Sequence, residues 1–464
     1  MENQVLPKKV PGFFSFRYGL SLLLHFCNGA LMMQRTSLSL TMVVMVNGTM
    51  GPTNFSSREN SNNIKGPVYN WSPEIQGIIL SSIFYGTIIV QIPVGCLSGI
   101  FSTKNMIAFG LFLSSVLTLL IPAAAQVGEN LLIACRVVQG MAQGAMSVFQ
   151  HNIWIQWAPP LERGRLTSIS VSGVMLGPFI VLLATGLICD FLGWPLVFYI
   201  FGAYGCVLCL FWFILFYDDP KDHPFISINE KEYITSSLAQ QDNPSTVKTL
   251  PIKSVLQSTP FWAISLSHFA FFWSNNFAVA YTPIFVNSVL HVDIRKNGFL
   301  SSLPFLFAYC FSILGGYAAD FILSKNILSI ISVRKLFTTL GMLLPVIFNM
   351  CMLYLGFHFY TVIIFLIISQ ATSSLAIPGT LINVLDIAPR YYGVLKGVAT
   401  LIGMIGGIIS STVSGLILSM KSETSWHKIY FLMSAINISA LIFYLIFAKA
   451  EIQDWAKESQ DTRL

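Results

Sequence analysis

Residues 105–157 read NMIAFGLFLSSVLTLLIPAAAQVGENLLIACRVVQGMAQGAMSVFQHNIWIQW. Two apolar runs, 105–127 and 130–157, are parted only by Gly128-Glu129, and neither contains an Asp or Glu. A helix rises 1.5 Å per residue, so about 20 apolar residues cross roughly 30 Å of hydrocarbon. Each run is therefore a membrane-crossing helix, and the pair is joined by a tight turn. Working outward, further runs of this kind lie at 18–46, 72–98, 166–189, 194–217, 261–288, 298–323, 333–356, 359–386, 394–419 and 427–449, giving twelve spans. The first is too long for a signal-peptide core and follows the polar Met1 to Lys9, so no cleavable signal is expected.

Composition excludes a water-soluble body. Hydrophobic residues make up 54% of the 464 and charged residues only 10%, against about 25% in ordinary globular chains. The net charge of +6 does not indicate nucleic acid, because no Lys/Arg run exceeds a pair such as Lys8-Lys9. All eight cysteines lie within or at the ends of apolar runs and read as small buried residues, with no disulfide framework. Cys206 and Cys209 form a C-x-x-C mid-span, without His or a second pair to make a metal site.

The basic residues report topology. Eighteen of the 26, among them Lys104, Arg163, Arg165, Lys325 and Arg390, fall on one side together with both termini, and six on the other. Both termini are expected to be cytoplasmic. The 47–71 loop is then outside, and it carries the glycosylation sequons at Asn47, Asn54 and Asn70. Asn54 is favoured, since Asn47 and Asn70 adjoin the bilayer, and the Asn437 sequon inside the last span is a chance match.

A soluble insert at 218–258 divides the chain into six plus six spans. The expected domains are residues 1–217 with the glycosylated loop 47–71, a cytoplasmic linker 218–258, and residues 259–464 including a cytoplasmic tail. In the linker, Ser227 and Glu230 have capping-box spacing and open a short surface helix over 228–241.

The halves repeat each other. Ala158-Pro159 and Ala388-Pro389 are offset by 230, as are Gly173-x-x-x-Gly177 and Gly403-x-x-x-Gly407. Glycines four apart let helix backbones approach closely. Gly95–Gly99 and Gly316–Asp320 form a further pair, offset by 221. Duplicated six-helix halves describe an all-α transporter built around a central cavity. The chain resembles the major facilitator superfamily, which carries a Gly-x-Leu-x-Asp loop after the second span. The first half departs from it at Gly99 while keeping Lys104, and the second half keeps Asp320 and Lys325.

Two basic residues remain inside the spans, Arg35 and Arg136, and no Asp or Glu lies deep in any span. Placing each arginine mid-bilayer costs on the order of 2.5–3.5 kcal/mol on insertion scales. In the fourth span Arg136, Gln139, Gln143, Ser147 and Gln150 form a polar stripe, with Gly140 and His151 beside it. The first span offers His25, Asn28, Arg35 and Ser39, and the seventh His268, Asn275 and Thr282. Such stripes must face protein or water. Two guanidinium groups facing a shared cavity make an anion site, because the planar fork takes carboxylate or phosphate bidentately. The alternative is that these residues bond neighbouring helices, with the arginines on backbone carbonyls. The candidate substrate residues are Arg35, Arg136, Gln139, Gln143, Asn28 and Asn275. His25, His151 and His268 read as structural.

Arg35–Asn47, Trp71–Gly77, Arg136–Gly140, Trp157–Arg163, Asp386–Arg390 and the tail Glu451–Lys457 are similar to the anion–cation symporter family that includes sialin and the vesicular glutamate transporters. The resemblance implies that Arg35 matches that family's substrate-binding arginine and Arg136 its functional arginine in the fourth span. It also implies losses: Gln143 stands where proton-coupled members have glutamate, and Phe271 and Leu80 stand where glutamate transporters have arginine and histidine. Losing the carboxylate argues against proton symport. The implied cargo is inorganic phosphate or a monovalent organic anion such as urate, driven by sodium or membrane potential across an apical plasma membrane. No resident cofactor is implied, and Na+ is the candidate coupling ion. An anion channel using the same arginines is the alternative, and no acid/base or metal constellation in the spans suggests an enzyme. The terminal Thr462-Arg463-Leu464 fits a ligand for a PDZ-domain scaffold, added as an edge strand.

Overall fold

The computed structural model describes residues 15–46, 66–97, 101–159, 162–239 and 251–456. Asn47, Asn54 and the Thr462-Arg463-Leu464 terminus lie outside these residues. The apolar runs all fold as helices: α1 (Phe16–Met45), α2 (Pro73–Leu97), α3 (Thr103–Val127), α4 (Glu129–Trp157), α5 (Arg163–Phe191) and α6 (Trp194–Leu215) in the first half. The linker contributes α7 (Ile228–Ala239) and α8 (Ile252–Leu256). The second half follows with α9 (Thr259–Leu290), α10 (Ile294–Ser324), α11 (Ile330–Leu355), α12 (Phe359–Ser373), α13 (Ile382–Ile387), α14 (Tyr392–Ser419) and α15 (Ser425–Phe447). Among the described residues, ten spans are long and apolar enough to cross a bilayer, with α12 and α13 counted as one. The long helices α1 and α9 fall below that hydropathy because they carry the polar residues discussed below.

The tenth span is broken. Between α12 and α13 the chain makes a π-helical turn at Ile377–Leu381, where Pro378 removes a ladder donor and Gly379 follows it. The Arg334 guanidinium donates to the Pro378 carbonyl at 2.7 Å and to Asp386 at 2.7 Å, spanning the break.

Packing divides the chain into two units, one of Met1–Arg35, Tyr85–Pro178 and Val197–Lys248, the other of Thr36–Phe84, Phe179–Leu196 and Thr249–Leu464. In the first, the duplicated glycines lay α5 on α1. A Cβ on Gly173 would overlap the His25 carbonyl, and one on Gly177 would meet Met32 at 2.7 Å. The second unit repeats this in part with α14 on α9: a Cβ on Gly403 would come within 2.6 Å of Phe272, but Gly407, the counterpart of Gly177, leaves ordinary contact with Asn276 at 3.5 Å, and the second tight approach is at Gly406, 2.6 Å from the Phe269 carbonyl. The second unit also joins helix ends from both halves of the chain. Gly77 of α2 lies on α14, where a Cβ would be 2.8 Å from the Ser411 carbonyl, and Gly186 of α5 lies against Gly298 of α10, at 2.9 Å by the same measure.

Several expectations need correction. Helix α7 is not simply a solvated surface helix. The Ser227 hydroxyl accepts from the Glu230 amide at 3.3 Å, but the Glu230 carboxylate turns away from its own helix. It accepts from the amides of Phe16 (3.0 Å) and Arg17 (3.1 Å), capping α1, and pairs with the buried Arg17 guanidinium, which also donates to Glu162 at 2.6 Å. An anion at a helix N-terminus satisfies orphan N–H groups and favours the dipole. Cys310 is exposed, and Cys135, Cys206 and Cys351 are only half-buried, so the seven cysteines whose side chains are described are free but not uniformly buried. Asn437 is buried, donating to Ser274 at 2.7 Å, which removes its sequon from use, whereas Asn70 is exposed.

Candidate functional site

The fourth-span stripe forms because Arg136, Gln139 and Gln143 recur at i, i+3 and i+7 on one face of α4. Facing it, α1 presents Gln34 and Arg35, and α3 presents Ser114, Ser115 and Thr118. All belong to the first unit.

The two guanidinium groups are not equivalent. Arg136 is 1% exposed. Its Nη1 donates to Gln139 Oε1 at 2.8 Å and to the Gln34 carbonyl at 3.3 Å, and its Nη2 donates to the Arg35 carbonyl at 3.2 Å. It therefore grips the α1 backbone at the residue that carries the other arginine. Arg35 is half-buried, and its Nη2 donates to Gln143 Oε1 at 3.0 Å.

A relay of uncharged groups sets these side chains. Gln143 Nε2 donates to Ser114 Oγ at 3.0 Å, and Ser114 Oγ donates to Gln34 Oε1 at 2.6 Å. Gln34 Nε2 continues to Ser115 Oγ at 3.0 Å, while Gln139 Nε2 donates to Thr118 Oγ1 at 2.8 Å. Each buried amide thus has its oxygen and nitrogen used in a consistent direction, the condition under which a polar network rigidifies its surroundings. Chemically, the arrangement fixes one cationic fork, partly open, on a helix whose backbone is clamped from behind.

Four of the six expected substrate residues come together here: Arg35, Arg136, Gln139 and Gln143. Asn28 lies seven residues before Arg35, about 10 Å along α1. It donates to the Ser170 carbonyl at 3.0 Å and accepts from Gln150 at 2.8 Å. Asn275 belongs to the second unit, where it accepts from Gln370 at 3.3 Å. His25 of α1 contacts the Ile169 carbonyl and Ser172 of α5, whereas buried His268 contacts the Ile264 carbonyl one turn earlier in its own helix α9. Phe271 and Leu80 are buried. Among the described residues, no group of three His, Cys, Asp or Glu could hold a metal.

The expectation did not include Gln34, Ser114, Ser115 and Thr118, which complete the network. Their signal was present: Ser114, Ser115 and Thr118 sit at i, i+1 and i+4 within the run quoted first. The charged residues expected in the loop after the second-half repeat also differ in their partners. Asp320 is exposed, and the second-unit ion pair near the matching ends is Arg334 with Asp386.

Comparison with known proteins bears on the same arrangement. Residues 24–350 match the Major Facilitator Superfamily. The chain is 62% identical to sodium-dependent phosphate transport protein 1 of Mus musculus, with 100% of both chains covered. It is 48% identical to the probable small intestine urate exporter of Homo sapiens, covering 98% of this chain and 94% of that one. Among solved structures, a D-xylose–proton symporter superposes with a TM-score of 0.65 at 16% identity, over 94% of this chain and 99% of that chain, a likeness of fold.

Proposed function

We propose that this chain, which belongs to the Major Facilitator Superfamily, carries small anions, inorganic phosphate or urate-like organic anions, by alternating access around Arg35. It is a multi-pass membrane protein of a transporter family. The observation that carries the anion reading is the Arg35–Gln143–Arg136 arrangement: a half-buried guanidinium oriented by a glutamine, on backbone held by a second, fully buried arginine. The relatives' names, one for sodium-dependent phosphate transport and one for urate export, fit a cargo of that sign.

In this reading Arg35 meets the anion, with Gln143 orienting it, while Arg136 and Gln139 act as positioning residues. Asn28 and Asn275 are further candidate contacts. The driving force is a sodium gradient or the membrane potential, since Gln143 cannot titrate. The chain works in the plasma membrane, at an apical surface, with both termini cytoplasmic, a glycan on the first external loop at Asn54, and a PDZ scaffold at Thr462–Leu464. The glycine contacts Gly77–Ser411 and Gly186–Gly298 close helix ends that the charge distribution assigns to the outside.

The test is uptake in proteoliposomes of phosphate, urate and chloride, with sodium, proton and voltage gradients imposed one at a time. A saturable anion flux that responds to sodium or voltage, and not to pH, is expected. A proton-driven flux, or none for any anion, overturns the reading.

A further inference from the structure

A cavity of about 40 Å³ lies inside the second unit between α9, α10, α11, α12 and α15. By this measure it has room for a few waters or a small ion. Its wall includes Thr282, Asn349, Ser369, Ser373 and Tyr430. These are 5%, 4%, 9%, 8% and 2% exposed. Among the described residues, none of these five side chains has a hydrogen-bond partner. Buried polar groups are ordinarily paired, so five unpaired ones on a single small cavity call for an occupant.

The occupant's sign follows from the wall. The lining bears no charged side chain and is rich in oxygen: four aliphatic hydroxyls (Ser274, Thr282, Ser369 and Ser373), a phenol, and the amide oxygens of Asn349, Gln370 and Asn437, the last with its nitrogen already committed to Ser274 and Met433. Ser369 and Ser373 lie in the last turns of α12, which stops at the break in the tenth span. Carbonyls at a helix C-terminus lack intrahelical donors and carry the negative end of the dipole. Hydroxyls, amide oxygens and broken-helix carbonyls are the ligand set with which discontinuous membrane helices hold sodium.

We propose that this cavity is a site for a partly dehydrated alkali cation, sodium, held by Thr282, Asn349, Ser369, Ser373, Tyr430 and Asn437. Its role as coupling ion rests on the transport reading above, but its existence does not. The test is thermal unfolding of the purified protein without transported anion, titrated with NaCl, KCl or choline chloride at matched ionic strength, and with sodium gluconate. Sodium is expected to raise the Tm saturably with either counter-ion. Asn349→Ala and Ser373→Ala should each raise the half-saturating sodium at least tenfold, with Tyr430→Phe as the milder variant if Asn349→Ala does not fold. Equal Tm in all salts means that water alone fills the cavity and overturns the proposal. A response that follows chloride, or variants titrating as wild type, overturns it too. In proteoliposomes the same variants should keep the wild-type anion KM at saturating sodium. A sodium-dependent Tm with sodium-independent uptake upholds the site and refutes only its coupling role.

Discussion

Replacing Gln143 by Glu tests how Arg35 is kept available. Gln143 Oε1 sits 3.0 Å from Arg35 Nη2, so a carboxylate there would lie about 4 Å from the guanidinium centre, an attraction of about 4 kcal/mol at an effective dielectric of 20. Because the position is 2% exposed, desolvation of the carboxylate offsets part of this. The second carboxylate oxygen also loses the donation that Gln143 Nε2 makes to Ser114, whose own proton is committed to Gln34. Stability should therefore change little, but an anion must now displace an internal carboxylate from its fork. A tenfold or greater rise in KM at pH 7.5 is expected, equivalent to about 1.4 kcal/mol. The ion pair keeps this carboxylate charged across the assay range, so the KM defect of Gln143→Glu should persist unchanged from pH 7.5 to pH 5.5. Gln143→Leu removes the hydrogen bond without adding charge and should raise KM without pH dependence. The assay is initial-rate phosphate or urate uptake in proteoliposomes at pH 5.5, 6.5 and 7.5. A Gln143→Glu variant with wild-type KM, or one whose KM defect disappears at pH 5.5, refutes this role for the Arg35–Gln143 contact.

Other consequences can be measured separately. Glu230→Ala removes one of two carboxylates from the buried Arg17 and uncaps α1; a loss of about 3 kcal/mol is expected from breaking a buried pair, seen as a lower Tm in detergent. Gly298→Leu places a side chain where Gly186 and the Leu182 carbonyl leave no room, so cysteine labelling from the outside should increase at neighbouring positions, and an unchanged labelling pattern counts against outer closure there. In the linker, burial among Phe16, Trp157 and Tyr217 holds the His223 imidazole below its ordinary value, with Nε2 on the Leu215 carbonyl and Nδ1 accepting from the Phe225 amide. The docked form stays neutral while the released form takes up a proton. Docking is therefore complete above about pH 6.5 and weakens as pH falls below it. Amide exchange at 220–237 should accelerate at pH 5.5 in wild type, and pH-independent exchange contradicts the assignment.

The twelve apolar runs and the 230-residue glycine repeat were readable because bilayer length and close helix packing leave local patterns, and Gly173 and Gly403 each mark a helix–helix approach. The polar stripe of α4 was readable for the same reason. What the pattern could not convey is direction. Arg35 and Arg136 look alike in sequence, yet one is half-buried and the other is enclosed by carbonyls 101 and 102 residues away in the chain. Glu230 illustrates the same limit: capping-box spacing predicts a local bond, and a contact more than 200 residues distant prevails because Arg17 would otherwise lack that carboxylate in the core. The break after Ser373 had a local cue in Pro378-Gly379, hidden by the apolar residues around it.

The central claim is that Arg35 binds a transported anion in a carrier. Equilibrium counterflow tests it most directly: proteoliposomes preloaded with unlabelled phosphate or urate, then given trace labelled anion outside. Wild type should show transient accumulation above equilibrium, and Arg35→Gln should show none while keeping its Tm and monodispersity. Labelled entry unaffected by preloading, or undiminished counterflow in Arg35→Gln, would contradict the account.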